Sequence, residues 1–254
     1  MAPRLENKTA IITGGASGFG KATAIRFAEE GAAVLIGDLN ADGATAVANS
    51  ILSAGGKAVA LRMDVTSAED WEKAVGIVME RWGRLDVVVN NAGTTYRNKP
   101  TLDVTSEEFT RVFEVNVRSV YLSVRAAVPT MQKNGGGSII NVSSIGSVRP
   151  RPGLVWYNAS KAAVTNATKG LAAEYGPQNI RINSLAPLLS GTGLFESFVG
   201  VPDTPENREK FIGNVPLGRL TDPNDVANTA LFLASDEGKF ITGVNLEIDG
   251  GRGV

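Results

Sequence analysis

The sequence predicts a single α/β domain built on a doubly wound parallel sheet, with helices on both faces. Short runs that are apolar at every position recur along the chain, and segments with helical character alternate with them. Uniformly apolar strands are buried on both faces, which is typical of parallel sheets. Strands that alternate with helices require right-handed crossovers and place helices on both sides of the sheet.

The elements follow one another at regular spacing. Strands are predicted at 9–12, 33–36, 58–61, 86–89, 138–142, 180–185 and 244–247. Helices are predicted from the first glycine-rich turn through residue 28, then at 41–54, 68–81, 107–133, 156–174 and 223–234. Neither a linker nor a change in composition divides residues 1–254. The stretch 188–215 is rich in Gly, Pro and Phe without a clear period, and we interpret it as a substrate-binding loop or lid within the domain.

Composition excludes several classes of function. Hydrophobic residues make up 43% of the chain and charged residues 20%, with a net charge of −1. These values describe an ordinary globular protein with ample core, and no basic run suggests a nucleic acid or a membrane surface as partner. Residues 1–8 lack the apolar core of a signal peptide, so we expect a cytoplasmic protein.

Two residue types are missing from the chain. It has 0 cysteines, which excludes disulfides and thiolate nucleophiles, and 0 histidines, which excludes the commonest general base and metal ligand. We therefore predict no metal site, and we expect acid–base chemistry to use carboxylates, lysine or tyrosine.

A glycine-rich turn joins the first strand to the first helix. Residues 13–20 read T-G-x-x-x-G-x-G, a pattern whose glycines let the backbone approach a pyrophosphate at the N-terminus of a helix. The predicted contacts are Gly14, Ser17, Gly18, Phe19 and Gly20. Asp38 closes the second strand, where a carboxylate accepts hydrogen bonds from an adenosine ribose, although capping of the next helix is a compatible role. Together these features predict dinucleotide binding.

A tyrosine and a lysine in the middle of the chain are candidates for acid–base chemistry. Tyr157 and Lys161 are spaced i and i+4, so they share one face of the predicted helix. A cation beside the phenol is expected to lower the tyrosine pKa from about 10 toward neutrality. Ser144 lies thirteen residues before the tyrosine, in an apolar run that also contains Ser143.

With these motifs and with Asn90-Asn91-Ala92-Gly93 after the fourth strand, the chain resembles the short-chain dehydrogenase/reductase family over nearly its whole length. The resemblance implies a Rossmann-type domain that transfers a hydride between NAD(H) and a secondary alcohol or ketone. It also implies that Tyr157 is the general acid or base, that Lys161 lowers its pKa and binds the nicotinamide ribose, and that Ser144 orients the substrate oxygen. Asn116 would support a proton relay through water. Family spacing favours Ser144 over Ser143, and strand alternation turns Ser143 the other way.

The resemblance also implies the remaining cofactor contacts. These are Leu39, Asp64, Val65, Asn91, Ala92, Gly93, Pro187, Ser190 and Thr192, together with Tyr157 and Lys161. For Asp64, capping of the helix that starts near Ser67 is an equal alternative. The chain departs from the family at Leu188, which stands where a glycine usually follows the proline, so we expect its side chain to pack toward the nicotinamide or the substrate.

Cofactor and substrate preferences follow from charge and polarity. We expect NAD rather than NADP, because no Arg or Lys lies in 13–20 or directly after Asp38, and Lys21 is the nearest cation. The apolar residues predicted to wall the substrate site favour a hydrophobic alcohol or ketone over a sugar. They are Tyr96, Trp156, Leu188, Leu194, Phe195 and Phe198. Arg149 and Arg151 leave a carboxylate or an acidic carrier open.

Two other functions are compatible with the dinucleotide motif. One is an NADP-dependent 3-oxoacyl thioester reductase of the same family, which requires a basic residue near the ribose, where Ser17, Asp38 and Leu39 provide none. The other is a non-catalytic dinucleotide-binding sensor or scaffold, which has no need of all four catalytic positions. The helices at 107–133 and 156–174 are apolar over a wide arc, and the resemblance implies that they pair between subunits of a homotetramer, with a further contact near Val244.

Overall fold

Seven parallel strands form one sheet in the computed structural model of the protein, which describes residues 3–191 and 195–254. In chain order the strands are β1 (Thr9–Thr13), β2 (Ala33–Asp38), β3 (Lys57–Arg62), β4 (Val87–Asn90), β5 (Gly137–Val142), β6 (Ile180–Pro187) and β7 (Asn245–Ile248). Across the sheet they run β3-β2-β1-β4-β5-β6-β7. The direction of winding therefore reverses between β1 and β4, which opens a crevice at the carboxyl ends of these two strands.

Helices connect the strands in the described chain. They are α1 (Gly18–Glu29), α2 (Ala41–Ser53), α3 (Ala68–Trp82), α4 (Ser106–Phe113), α5 (Ser119–Lys133), α6 (Val155–Tyr175), α7 (Phe195–Val199), α8 (Pro205–Ile212) and α9 (Pro223–Ala234). Several begin at side-chain caps that their sequence specifies. Asp222 and Thr105, for example, form capping boxes with the acidic residue three positions later.

Two hydrophobic cores cover the faces of the sheet. Successive residues of β1 point to opposite faces, so Ile12 packs with α1, α2 and α9, whereas Ile11 packs with α3 and α5. Both isoleucines are fully buried, as is Phe27 of α1. The predicted doubly wound sheet, its seven strands and its coverage on both faces are confirmed.

A buried polar network crosses the centre of the second core. The Asn90 amide donates to Ser123 Oγ and to Asn141 Oδ1, both at 2.8 Å, and the Asn141 amide donates to Thr168 Oγ1 at 2.9 Å. These bonds join β4 and β5 to α5 and α6. Buried polar groups are costly when unpaired, so the network favours one register of the helices on the sheet.

Two predicted segments differ from the structure. The helix predicted at 107–133 is interrupted by a π-helical segment, Glu114–Arg118, between α4 and α5. The stretch 188–215, predicted without secondary structure, contains α7 and α8, whose few turns are too short to show a clear period. Within the described residues no helix is long and apolar enough to cross a membrane.

Candidate active site

A cleft of about 870 Å³ lies at the carboxyl ends of the strands, over the crevice between β1 and β4. It brings together most of the residues predicted for cofactor and chemistry. Its lining includes Gly14, Ser17, Gly18, Phe19, Asp38, Leu39, Asp64, Val65, Asn91, Ala92, Gly93, Ser144, Tyr157, Lys161, Pro187, Leu188, Ser190 and Phe198.

The glycine-rich turn has the geometry that its sequence predicts. Gly14 and Gly18 have φ angles of +64° and +53°, a region that disfavours other residues. Gly20 needs the absence of a side chain for another reason. A Cβ there would lie 2.2 Å from the Gly14 carbonyl oxygen and 2.5 Å from Asn91 Nδ2. The turn is therefore a tight backbone cradle that only glycines can form.

Side-chain hydrogen bonds from the end of β4 hold this cradle in place. The Asn91 amide donates to the carbonyl oxygens of Thr13 and Gly14, at 2.8 and 3.0 Å. The Thr13 hydroxyl accepts from the backbone N–H groups of Asn91 and Ala92, both at 3.1 Å. Asn91 thus shapes the turn through its side chain, in addition to lining the cleft.

The N-terminus of α1 opens onto the same cradle. Its N-cap, Ser17, makes no side-chain cap hydrogen bond, and the first turn contains no acidic residue. The helix dipole therefore faces the cleft without an internal counter-charge, an arrangement that attracts phosphate groups.

Asp38 is bonded to the glycine-rich turn. Its Oδ2 accepts from the backbone N–H of Ala16 at 3.0 Å, and its Oδ1 accepts from the N–H of Asn40 at 2.9 Å. The N-cap of α2 is Asn40, which accepts from Gly43 N, so the alternative role of Asp38 as the helix cap is wrong. The carboxylate is half-buried in the cleft wall beside exposed Leu39, where it remains able to accept from a ribose.

Asp64 likewise lines the cleft without capping a helix. Its Oδ1 accepts from the backbone N–H and the hydroxyl of Thr66, at 2.9 and 2.7 Å. The N-cap of α3 is Ser67, which accepts from Asp70 N. The capping alternative for Asp64 is therefore wrong, and Val65 follows it as part of the apolar wall.

Tyr157 and Lys161 lie one turn apart on α6, and both are buried. The ammonium donates to the backbone carbonyl oxygen of Val142 at 2.8 Å, and it lies 5.9 Å from the centroid of the tyrosine ring. The lysine is thus fixed to the end of β5 and sits beside the ring rather than on the phenol oxygen. Gly93 leaves room for it, since a Cβ there would lie 3.2 Å from the ammonium nitrogen.

Burial controls the protonation of this pair. It raises the pKa of Tyr157 to about 12, and a hydrogen bond with Ser144 opposes that rise. Burial also lowers the pKa of Lys161 to about 8. Both shifts follow from the cost of a charge in a low-dielectric site. The expectation that the lysine alone brings the tyrosine pKa toward neutrality is wrong, because desolvation outweighs the nearby charge.

The two serines after β5 have different surroundings. The Ser143 hydroxyl is buried against α6, where it bonds the Lys161 carbonyl oxygen at 3.0 Å and Thr165 Oγ1 at 2.8 Å. Ser144 faces the tyrosine, and its Oγ accepts from Gly146 N at 3.1 Å. The prediction that strand alternation separates the two side chains agrees with these contacts.

Asn116 occupies the centre of the π-helical segment and is buried. Its amide donates to the Thr94 carbonyl oxygen at 2.9 Å and to Ser160 Oγ at 3.0 Å, and its Oδ1 accepts from Thr94 N at 2.8 Å. The side chain therefore ties the loop after β4 to α6. A π-helical turn widens the helix locally, and such turns are frequent at functional sites.

Leu188 packs at the far end of the cleft. It is buried in an apolar cluster with Ile145, Phe195, Phe211 and Val215, and it also lines the cleft. The expectation that this leucine packs toward the reacting groups agrees with its position. Phe195 is fully buried within the cluster and does not line the cleft.

The other predicted wall residues have different positions. Phe198 lines the cleft and meets the Tyr157 ring edge-to-face, with centroids 5.0 Å apart. Tyr96 is buried behind the wall, where its hydroxyl accepts from Trp156 N at 3.1 Å, and Trp156 packs against Phe109. Neither of these two residues lines the cleft. The remaining predicted contacts, Thr192 and Leu194, lie outside the described residues.

Several cleft residues were not singled out from the sequence. They are Met63, Thr66, Thr94, Thr95, Arg111, Val115, Ile145, Leu154, Asn158 and Phe211. Thr94 and Thr95 directly follow the N-N-A-G motif, so proximity to a motif was a usable signal for them. Phe211 gave none, because its position depends on how α8 packs.

Comparison with known proteins identifies the family. A family model described as enoyl-(acyl carrier protein) reductase matches residues 14–252. The chain is also 50% identical over 250 residues to a 4-formylbenzenesulfonate dehydrogenase of Comamonas testosteroni, with 98% of this chain and 99% of that protein covered. The protein belongs to the short-chain dehydrogenase/reductase family.

Solved structures of this family show the same fold. A 3-ketoacyl-(acyl-carrier-protein) reductase from Brucella melitensis, complexed with NADH, is 42% identical with a TM-score of 0.91 and covers 98% of this chain and 100% of that one. A 7α-hydroxysteroid dehydrogenase complexed with NADH and 7-oxo glycochenodeoxycholic acid is 38% identical with a TM-score of 0.90, covering 98% and 96%. The cradle and the buried tyrosine–lysine pair of this dehydrogenase thus lie in a shared framework.

Gly20→Ala tests the cradle. The added methyl collides with the Gly14 carbonyl and the Asn91 amide, so we expect the dissociation constant for NADH to rise about tenfold or more. Fluorescence titration of NADH measures it. Gly76→Ala is the matched control, because Gly76 is exposed on α3 and a methyl there meets nothing within 4 Å. Equal affinities in the two variants would contradict the assignment.

Proposed function

We propose that the protein is an NAD-dependent oxidoreductase that interconverts secondary alcohols and ketones, with Tyr157 transferring the proton of the substrate oxygen. One observation carries this proposal. The cleft that contains the glycine cradle also contains a buried tyrosine, flanked by the Ser144 hydroxyl and the Lys161 ammonium. The relatives in the family are dehydrogenases and reductases, and two solved neighbours hold NADH.

The cradle fits the dinucleotide. Gly14, Gly18 and Gly20 would admit the pyrophosphate at the N-terminus of α1, and Asp38 would accept from the adenosine ribose. Leu39, Asp64 and Val65 would contact the adenosine, and Asn91, Ala92 and Gly93 would line the path toward Lys161. Pro187 and Ser190 would meet the nicotinamide end, as we propose for Thr192. When bound, NAD supplies the carbon that gives or accepts the hydride.

The protein residues would handle the proton. In ketone reduction, the Tyr157 hydroxyl would donate to the carbonyl oxygen, while Ser144 holds that oxygen by a second hydrogen bond. With a pKa of about 12 the tyrosine is fully protonated at neutral pH, which suits this direction. In alcohol oxidation the same oxygen would take the proton back. Lys161 would stabilise the phenolate and contact the ribose.

Asn116 would support proton exchange indirectly. Its side chain fixes the loop at Thr94 and the hydroxyl of Ser160, which lies one residue before the lysine. We propose that the widened π-helical turn keeps a water path open behind Lys161. The proton then leaves the buried pair without crossing the substrate side of the cleft.

The substrate wall favours an apolar, ring-bearing alcohol or ketone. Leu188, Phe198 and Phe211 line the cleft beside the tyrosine, and Leu154 adds a further apolar surface. Relatives named for a formylbenzenesulfonate and a hydroxysteroid both act on ring-bearing compounds by their names. Tyr96 and Trp156 would support the wall from behind, and Phe195 would anchor it.

We propose that 188–215 covers the nicotinamide end as a lid. Asn98 holds α7, because its backbone N–H donates to the Ser197 carbonyl at 2.8 Å and its amide donates to the Phe198 carbonyl at 3.2 Å. Phe198 is thereby placed against the tyrosine ring. Closure of this segment would exclude water from the hydride path.

The 3-oxoacyl thioester reductase that uses NADP is less well supported. Near the ribose position the cleft lining offers the Asp38 carboxylate, and Lys21 does not line it. The non-catalytic sensor is also disfavoured, because the tyrosine, the lysine and both hydrogen-bonding partners are in place.

We propose a cytoplasmic homotetramer. Tyr121 of α5 is exposed, although it is large and mostly apolar, and Phe240, just before β7, is fully exposed. Pairing of α4–α5 and α6 between subunits, with a second contact near β7, would bury these groups. Analytical ultracentrifugation tests this, and the mass of a single chain would contradict it.

Tyr157→Phe tests the proposed function directly. It removes the only proton-transfer group placed on the substrate oxygen, and such groups contribute about 10²–10⁴-fold to rate, so we expect kcat for a ketone to fall at least a hundredfold. NADH affinity should change little. Steady-state kinetics and NADH titration measure both. Ser143→Ala is the control, since that hydroxyl is buried against α6. Retention of a tenth of the activity by Tyr157→Phe would contradict the role.

The same assignment fixes the sign of the pH dependence. Oxidation requires the pair to have lost one proton, and the lower pKa of the pair, about 8 at Lys161, sets where that loss begins. Above that pH the tyrosine and lysine share one fewer proton, so the phenolate form becomes accessible. We expect kcat/KM for alcohol oxidation to rise through pH 8 and that for ketone reduction to fall over the same range. A flat profile in both directions would contradict a shared proton.

Asp38→Ala tests cofactor choice. The carboxylate would accept from the ribose of NAD and repel the additional phosphate of NADP, so we expect a wild-type preference for NAD of about a hundredfold. The substitution should narrow this ratio and also weaken NAD. Measurement of kcat/KM with both cofactors decides it. Asp42→Ala is the control, because Asp42 is exposed on α2 and does not line the cleft. A ratio equal to that of the wild type would show that Asp38 only braces the turn.

A further inference from the structure

Three arginines meet at the substrate end of the cleft. Arg149 and Arg151 lie on the loop between β5 and α6, and both line the cleft. Arg252 approaches from the turn after β7. The guanidinium carbons of Arg151 and Arg252 lie 5.2 and 5.7 Å from the centroid of the Phe211 ring, which also lines the cleft. Two cations therefore share one aromatic face or edge beside the substrate wall.

These cations have no acidic partner in the part of the chain that the structure describes. Arg149 donates to the Arg252 carbonyl oxygen, and Arg252 donates to the Asn214 carbonyl oxygen at 3.2 Å. Neither forms an ion pair, and Arg151 makes neither an ion pair nor a side-chain hydrogen bond there. The nearby carboxylate of Asp249 accepts from Gly251 N at 3.0 Å and from Gly253 N, which holds the turn that carries Arg252.

The positive charge is costly where it stands. Arg151 is half-buried, and its pKa is lowered by burial first and by the charge of Arg252 second. A guanidinium keeps its charge at any physiological pH, so the like charges persist side by side. An anion between them would relieve both the desolvation and the repulsion.

The loop that carries Arg151 is held from several sides. Asn158, which follows the proposed catalytic tyrosine, donates from its amide to the Arg151 carbonyl oxygen at 3.0 Å. Asn98 donates to the Pro152 carbonyl at 3.3 Å, and Lys99 N donates to the Gly153 carbonyl at 3.2 Å. The arginine backbone is thus fixed relative to Tyr157, as a preorganised binding group requires.

We infer that the substrate carries a carboxylate or sulfonate remote from the reacting carbon, and that Arg151, with Arg149 and Arg252, binds this group while the ring lies against Phe211 and Leu188. This inference rests on the proposed function, and it adds the anionic group to the substrate class. Guanidinium forks bind such oxyanions through two parallel hydrogen bonds, which orients the ring as well as holding it.

Matched ketones test the inference. The probes are 4-acetylbenzoate, 4-acetylbenzenesulfonate and the neutral 4-methylacetophenone, each assayed with NADH. We expect kcat/KM for the two anions to exceed that for the neutral ketone by about tenfold or more, mainly through KM. In Arg151→Gln this anion-to-neutral ratio should fall about tenfold, and Arg151→Lys should restore part of it. Arg81→Gln, an exposed cation on α3 outside the cleft, should leave the ratio at its wild-type value.

Calorimetry separates this inference from the proposed function. Titration of 4-acetylbenzoate into the protein with NADH measures binding without turnover, and Arg151→Gln should raise the dissociation constant about tenfold. Turnover of the neutral ketone with no preference for either anion, and no calorimetric difference, would overturn the anion site and leave the dehydrogenase intact. Tight binding of the anions without turnover of any ketone would instead support the site and contradict the proposed function. A preference for a carrier-protein thioester over every small anion would overturn the inference in favour of protein docking.

Discussion

The site depends on the hydrogen bonds between the Asn91 amide and the backbone of Thr13 and Gly14. A parallel sheet wound in both directions leaves an open crevice where the direction reverses, and nothing in the sheet itself bridges it. In this protein the end of β4 supplies the bridge, and it shapes the glycine turn of β1 in the same contact. A cradle that is fixed before ligand arrives loses little conformational entropy on binding.

Burial sets the chemistry of the tyrosine–lysine pair as much as proximity does. Desolvation pushes the phenol toward its neutral form and the ammonium toward its own neutral form, so both shifts disfavour charge. The pair then has only one readily lost proton near neutrality, and two oxygen or nitrogen atoms can carry what remains. Ser144 and the Val142 carbonyl decide which atom is favoured, because each bonds one member of the pair.

The sequence allowed the strands, the glycine turn and the positions around Tyr157 to be predicted, because period and motif spacing are local properties. Burial is not local, and the pKa of the tyrosine was therefore predicted in the wrong direction. Arg252 lies a hundred residues from Arg151, so their meeting around Phe211 depends on tertiary packing alone. The capping roles of Asn40 and Ser67 show the same limit, since Asp38 and Asp64 were equally plausible caps by composition.

The π-helical segment around Asn116 also constrains how the length of this chain can vary. It accommodates one residue more than a regular helical turn, between α4 and α5. Deleting a single residue there would restore the regular hydrogen-bond ladder, but it would rotate everything that follows by about 100° around the helix axis. The apolar side of α5 would leave the sheet, and Asn116 would lose Thr94. Insertions and deletions should thus be tolerated in the surface loops and rejected within this helix.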